Sequence, residues 1–236
     1  MKNENQDKKI LIIIPAYNEE RNLPKVIGTI NRLTFDTDYI IINDCSKDGT
    51  IKLCVDNGYK FVSLPVNLGI GGAMQTGYMF AYNNGYDIAI QVDGDGQHDA
   101  NQLNELIEPI LSGKTDMVIG SRYLKKDGFQ STLMRRLGIN ILSLLVYFRC
   151  KVRIKDVTSG FRAVNSAIIS QFARSYPTDY PEPESLSSAI KSGYRVCEVP
   201  VIMRAREFGK SSINPVKSIY YMVKVSMAIL FSERYR

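Results

Sequence analysis

The chain has 236 residues, 44% of them hydrophobic, a formal charge of +6, no tryptophan, one histidine and four cysteines. That length and apolar fraction suit one large globular domain, or a domain with an appendage, and leave only the polar start, Met1 to Asp7, outside a packed fold. Cys45, Cys54, Cys150 and Cys197 lie far apart without a Cys-x-x-Cys pair, and a lone His98 excludes the usual His-rich zinc sites, so the thiols read as reduced core residues.

From Lys9 to Ile14 an apolar run ends at Pro15, as expected of a strand covered on both faces in a parallel sheet. The helix that follows is expected to begin near Asn18-Glu19-Glu20 and carries Leu23, Val26, Ile27 and Ile30 at helical spacing. The pattern then predicts a strand from Tyr39 to Asn43, a helix after Asp48-Gly49, a strand from Lys60 to Leu64 and a helix from about Gly72 to Tyr82.

A fourth strand, Asp87 to Ile90, runs into Gln91-Val92-Asp93-Gly94-Asp95-Gly96-Gln97-His98. Residues i and i+2 share one side of a strand, so Asp93 and Asp95 can converge, with Gly94 and Gly96 easing a tight turn. Two carboxylates and the amide oxygen of Gln97 suit Mg²⁺ or Mn²⁺, ions that also take phosphate oxygens. The competing reading is a polar turn that caps the next helix at Asp99-Ala100-Asn101.

Alternating strands and helices predict right-handed crossovers and an α/β fold with an open, mainly parallel sheet and helices on both faces. Ligands of such sheets bind beyond the carboxyl ends of the strands. Pro15 to Glu19, Asn43 to Asp48, Asn67 to Gly69 and the two aspartates all fall at such ends, which favours a site over a cap. Pro-Ala-Tyr-Asn-Glu stands where a dinucleotide fold carries Gly-x-Gly-x-x-Gly, and this argues against a nicotinamide enzyme. Gly69-Ile70-Gly71-Gly72 reads as a tight turn that brings a helix up to the ligand.

Charge divides the chain. Residues 1–121 hold 10 Lys and Arg against 16 Asp and Glu, whereas residues 122–236 hold 20 against 8. The basic half should face something anionic, either nucleic acid or an acidic membrane surface. A strand from Asp116 to Gly120 precedes a region, Arg122 to Lys155, with nine basic residues and one acid, Asp127. Within it Leu133 to Phe148 reads as a helix whose apolar core, Leu137 to Phe148, is flanked by Arg135, Arg136 and Arg149 and is too short to cross a bilayer. It fits either a helix in the membrane interface or one buried on the sheet. A strand from Tyr194 to Val201 and an amphipathic helix from Pro215 to Phe231, interrupted by Lys217 and Lys224, complete the pattern. With no signal-peptide or spanning segment, the expectation is a cytoplasmic chain with a main domain over residues 1–212 and an amphipathic tail over 213–236.

The ordered series Pro15 to Glu19, Asn43 to Thr50, Asn67 to Gly69, Asp93 to His98, Gly120-Ser-Arg122 and Phe208 to Ser211 resembles a family 2 glycosyltransferase of GT-A fold. More narrowly it is similar to the dolichyl- and undecaprenyl-phosphate sugar synthases, from about Lys9 to Ser212. The resemblance implies that Pro15, Tyr17, Glu19, Asp44, Asn67 and Gly69 line the donor nucleotide. Asp93, Asp95 and Gln97 would hold Mg²⁺ or Mn²⁺ against its diphosphate, Asp95 serving catalysis through the ion, and Arg206 and Lys210 would close over it. Arg122 with Arg135 or Arg136 would take a lipid phosphate. Asp156, in Asp156 to Arg162, is a base candidate, with Glu182 and Glu184 as rivals, while His98 is expected to be structural or to support the ligands.

The implied reaction is inverting transfer of a hexose or N-acetylhexosamine from a nucleotide sugar to undecaprenyl phosphate at the inner membrane face. A sugar hydroxyl on a lipid-linked glycan remains as the other acceptor. Implied partners are the membrane surface, a small membrane protein or a second copy of the chain, and not nucleic acid. A nucleic-acid-binding scaffold would need an aromatic and basic signature that is missing, and a nucleotidyltransferase an Arg-containing Gly-rich loop after strand one.

Overall fold

The computed structural model describes residues 8–125, 133–179, 181–204 and 215–231. Seven strands form one sheet: β1 (Ile10–Ala16), β2 (Asp38–Asn43), β3 (Phe61–Ser63), β4 (Ile88–Gln91), β5 (Met117–Ser121), β6 (Arg162–Asn165) and β7 (Val196–Pro200). Their order is β3-β2-β1-β4-β6-β5-β7, and β6 alone runs antiparallel to its neighbours β4 and β5. The sheet is thus mainly parallel, as expected. β6 is the strand that periodicity missed, because it opens on a fully buried charge, Arg162.

Alternation along the strands splits the core in two. Leu11, Ile13, Ile40, Ile42, Met117 and Ile119 point to one face, covered by α3 (Gly69–Asn83), α5 (Leu133–Cys150), α6 (Ser166–Arg174), α7 (Pro181–Lys191) and α8 (Pro215–Phe231). Ile10, Ile12, Ile14, Ile41, Ile90 and Val118 point to the other, covered by α1 (Leu23–Ile30), α2 (Thr50–Asp56) and α4 (Leu103–Leu111). Burying each such side chain contributes about 1.5–3 kcal/mol, so a strand buried on both faces is anchored twice over.

Two helices start away from their expected positions for the same reason. The backbone N–H groups of Asn18, Glu19 and Glu20 donate to Ser46 Oγ, Thr50 Oγ1 and Asp48, which holds that stretch as a loop and delays α1 to Leu23. Conversely, α3 begins at Gly69, three residues early, because the Asp44 carboxylate accepts the N–H groups of Leu68 and Gly69.

α5 is half buried and half bare. Ile139, Leu142 and Val146 enter the core, while Met134, Leu137, Ile141, Leu144 and Phe148 form an exposed stripe at three- and four-residue spacing. α8 packs on α5 and α7, buries Val225 and Ile229, and shows Val223, Met227 and Leu230 to solvent. Among the described residues no helix is long and apolar enough to cross a membrane.

Candidate active site

The carboxyl ends of β1, β2 and β4 build one rim. Beyond β1, Asn18 adopts a left-handed φ of 58° and its side chain accepts the Lys47 N–H at 2.7 Å. Beyond β2, Cys45 has a left-handed φ of 56°, a conformation a side-chain-bearing residue enters at a cost of order 1–3 kcal/mol. The Gly49 N–H adds a bond to Glu20 Oε2 at 2.6 Å, so the two loops are stitched together. Tyr17 stands half-exposed on this rim, a flat ring available for stacking, and Glu19 Oε2 accepts from Asn22 at 2.6 Å.

Asp44 is buried beside them, its oxygens 2.7 and 2.9 Å from the Leu68 and Gly69 nitrogens. Asn67 donates back to the Asp44 carbonyl at 3.0 Å, closing the corner. Pro15 contributes its carbonyl, which accepts the Gly94 N–H at 3.3 Å and ties the end of β1 to the aspartate loop. A Cβ at Gly94 would stand 2.9 Å from that carbonyl, so the approach requires glycine.

Within the loop after β4, Asp95 is buried and its Oδ1 takes the Gln97 N–H at 3.0 Å, whereas Asp93 is about a third exposed. Gln97 Nε2 reaches the Arg204 carbonyl at 3.4 Å, and Arg204 in turn donates its N–H to the Gln97 carbonyl and pairs with Asp99 at 2.8 Å. Among the described residues no group of three or more His, Cys, Asp or Glu side chains could hold an ion. A pair of carboxylates fits a hard cation that keeps most of its shell for a diphosphate and water, as Mg²⁺ does.

Arg122 follows directly on β5. Its Nε and Nη2 donate to the two oxygens of Asp156 at 2.7 and 2.6 Å, its own N–H reaches Oδ2 at 3.1 Å, and Nη2 also meets Thr158 Oγ1 at 3.1 Å. Asp156 is fully buried, and its loop is held by Glu198 of β7, which accepts the N–H groups of Lys155 and Asp156, each at 2.8 Å. The Tyr123 ring lies 5.4 Å from the Arg122 guanidinium and 5.9 Å from that of Arg136. Of the adjacent arginines on α5, Arg136 therefore faces this cluster. The Arg135 side chain, Arg206 and Lys210 lie outside the described residues.

Glu182 and Glu184 occupy the first turn of α7. Burial pushes the Glu182 carboxyl above the usual carboxylate range, the Arg162 guanidinium pulls it back, and Asp93 adds to the rise. Arg162, which the sequence offered no reason to single out, is fully buried and staples two segments: it donates to the Ser159 carbonyl, the Glu182 carbonyl and Ser185 Oγ.

An open sheet with a single reversed strand and a carboxylate pair beyond β4 defines the GT-A class of glycosyltransferase. Residues 11–173 match the glycosyl transferase family 2 domain, and the chain belongs to that family. It is 31% identical to a UDP-N-acetylglucosamine–dolichyl-phosphate N-acetylglucosaminyltransferase of Methanococcus voltae, over 83% of this chain and 85% of that protein. It is 28% identical to a polyprenol monophosphomannose synthase of Mycolicibacterium smegmatis, over 93% and 86%. An undecaprenyl-phosphate mannosyltransferase of Micrococcus luteus is 27% identical, over 87% and 88%. Among solved structures, glucosyl-3-phosphoglycerate synthase from Mycobacterium tuberculosis with Mn²⁺, UDP and phosphoglyceric acid shares the fold at a TM-score of 0.71 and 20% identity, covering 96% of this chain and 78% of that one.

Proposed function

We propose that the protein transfers a hexose or N-acetylhexosamine, with inversion, from a nucleotide sugar to a polyprenyl phosphate of the undecaprenyl type at the inner face of the plasma membrane. Three relatives that span most of the chain carry names of sugar transfer to a polyprenol, dolichyl phosphate or undecaprenyl phosphate. The observation that carries the choice of acceptor is the Arg122–Asp156 pair. Both oxygens of Asp156 are engaged by a guanidinium, so the carboxylate is poorly placed to accept a proton. A phosphate monoester is already largely ionised near pH 7 and needs no base to attack. Arg136 and Arg122, whose guanidinium groups lie 5.9 and 5.4 Å from the Tyr123 ring, supply positive charge suited to such a phosphate, Arg122 with its Nε and Nη2 already on Asp156.

In this reading Tyr17, Asp44, Asn67 and the start of α3 receive the nucleoside, with Pro15, Glu19 and Gly69 shaping its floor. Asp93 and Asp95, with Gln97, hold the divalent ion, which supplies neutralisation of the charge that builds on the leaving diphosphate. The acceptor oxygen attacks C1 of the sugar as the bond from C1 to the diphosphate oxygen breaks, and the nucleoside diphosphate leaves with that electron pair. Arg206 and Lys210 are assigned to closing the donor side, which keeps out water as a competing nucleophile.

The bare stripe on α5 and the outward residues of α8 support an acceptor side that meets a membrane. These exposed apolar side chains, with Arg149, Lys151, Arg153 and Lys155 following in sequence at the end of α5, suit an anionic membrane interface. The rise of Glu182 supports a second reading, a sugar hydroxyl of a lipid-linked glycan as acceptor, with Glu182 or Glu184 as base. The test is incubation with radiolabelled nucleotide sugars and vesicles holding undecaprenyl phosphate. Label that becomes organic-soluble and mild-acid-labile supports the phosphate acceptor. Label incorporated only when a lipid-linked glycan is supplied, and lost on Glu182→Gln or Glu184→Gln, overturns it.

A further inference from the structure

The two carboxylate oxygens of Asp93 each face a neighbouring side chain, one hydrogen-bonded and one at ion-pair distance. Gln91 Nε2 donates to Oδ1 at 3.1 Å, and His98 Nε2 stands 3.5 Å from Oδ2. The opposite ring nitrogen, His98 Nδ1, accepts the Asp93 backbone N–H at 3.0 Å. Because Nδ1 accepts, the proton of the neutral ring sits on Nε2, the nitrogen that faces the carboxylate. The ring is buried and stacked on Phe161, with centroids 4.7 Å apart and planes 21° off parallel, so it cannot swing away.

Gln91 makes the stronger argument. It ends β4 almost wholly buried, and its Oε1 has no hydrogen-bond partner. A buried amide oxygen left without a partner destabilises a fold, and a leucine in that place would avoid the loss. Packing therefore does not account for the amide, whereas its donor on Asp93 does. The opposite orientation of the amide would set an oxygen against a carboxylate. Gly160 closes the remaining side: a Cβ there would stand 2.8 Å from Gln91 Nε2 and 3.2 Å from each Asp93 oxygen.

We infer that Gln91 and His98 are positioning residues for a divalent cation at Asp93, fixing that carboxylate before an ion arrives. The inference rests on the proposal that Asp93 holds the cation. A carboxylate already immobilised loses less side-chain freedom on ligation, and partners of this kind typically set metal affinity by about 10–100-fold.

The test is titration of the full chain with Mn²⁺, with and without UDP, the free ion being read by electron paramagnetic resonance, alongside thermal unfolding. Gln91→Leu and His98→Phe are each expected to weaken Mn²⁺ by about 10–100-fold. Gln91→Leu should melt at the same temperature or higher, which a purely structural role would not allow. His98→Gln, which keeps an acceptor and a donor, should recover part of the affinity. Wild-type Mn²⁺ affinity in Gln91→Leu and in both His98 variants, with binding abolished in Asp93→Ala, overturns the inference alone. Wild-type affinity in Asp93→Ala overturns the cation site itself, and this inference with it.

Discussion

Arg122 and Asp156, 34 residues apart in sequence, are joined by three hydrogen bonds in which one carboxylate takes the guanidinium on both oxygens and the backbone N–H as well. Asp156 is fully buried and Arg122 nearly so. The pair fixes the guanidinium at the end of β5, and Glu198 of β7 fixes the loop that carries the acid.

Removing one member of such a pair takes away the charge that compensates the other. Asp156→Ala should lower unfolding stability by about 3–5 kcal/mol, while Arg122→Met with Asp156→Leu should cost less than Asp156→Ala alone. Urea denaturation of the singles and the double decides it, and strictly additive losses would contradict the pairing.

The carboxylates beyond β4 predict a different pattern, in activity and not in stability. Chelation should abolish transfer, with recovery on Mg²⁺ or Mn²⁺. Asp93→Ala and Asp95→Ala should each lose about 10²-fold or more in turnover. Initial rates with a saturating nucleotide sugar measure it, and full activity after exhaustive chelation would sink the metal-assisted reaction.

Acid stability should respond to Asp116, the residue before β5. The Arg195 guanidinium holds this carboxyl below the usual carboxylate range against the opposing effect of burial, with the Arg195 backbone N–H and Asn165 adding bonds of 2.8 and 3.0 Å. A depressed folded-state value means that the unfolded chain binds the proton first. The stabilisation is therefore present above the ordinary aspartate value and is lost as pH falls through the depressed one. Asp116→Asn should flatten the fall in stability below about pH 4 while leaving its shape near pH 7 unchanged. Denaturant midpoints from pH 2 to 7 measure this, and an unchanged acid limb would refute it.

The sequence spoke clearly wherever one face or one turn decided the outcome. Strands β1, β2, β4 and β5 are short apolar runs that end in polar residues, and the family motifs sit at those ends, so the sheet and the Asp93 loop could be anticipated. The reversal of β6 could not, because direction in a sheet is set by neighbours, and its first residue, Arg162, hides a buried position behind a charge. Arg122 and Asp156 carried no local sign of their union, since no periodicity links residues so distant. Asp44 looked like a ligand group only, and its second task, holding the start of α3, depends on a loop more than twenty residues on.

The exposed stripe on α5 gives the last prediction. Leu137 and Leu144 are 56% and 54% exposed and lie two turns apart on one side of the helix, opposite the buried Leu142 and Val146. Changing them to glutamate removes apolar surface and adds charges that anionic headgroups repel, yet touches nothing in the core. A leucine's burial is worth about 1.5–3 kcal/mol, so each change should weaken partitioning onto anionic vesicles by about tenfold or more. Thermal unfolding should shift by no more than a few degrees. Transfer to a short, water-soluble polyprenyl phosphate should persist while transfer to vesicle-borne acceptor falls, because only the second requires contact with the bilayer. Co-sedimentation supplies the binding measurement. If Leu137→Glu and Leu144→Glu together leave vesicle binding intact, the stripe does not face lipid.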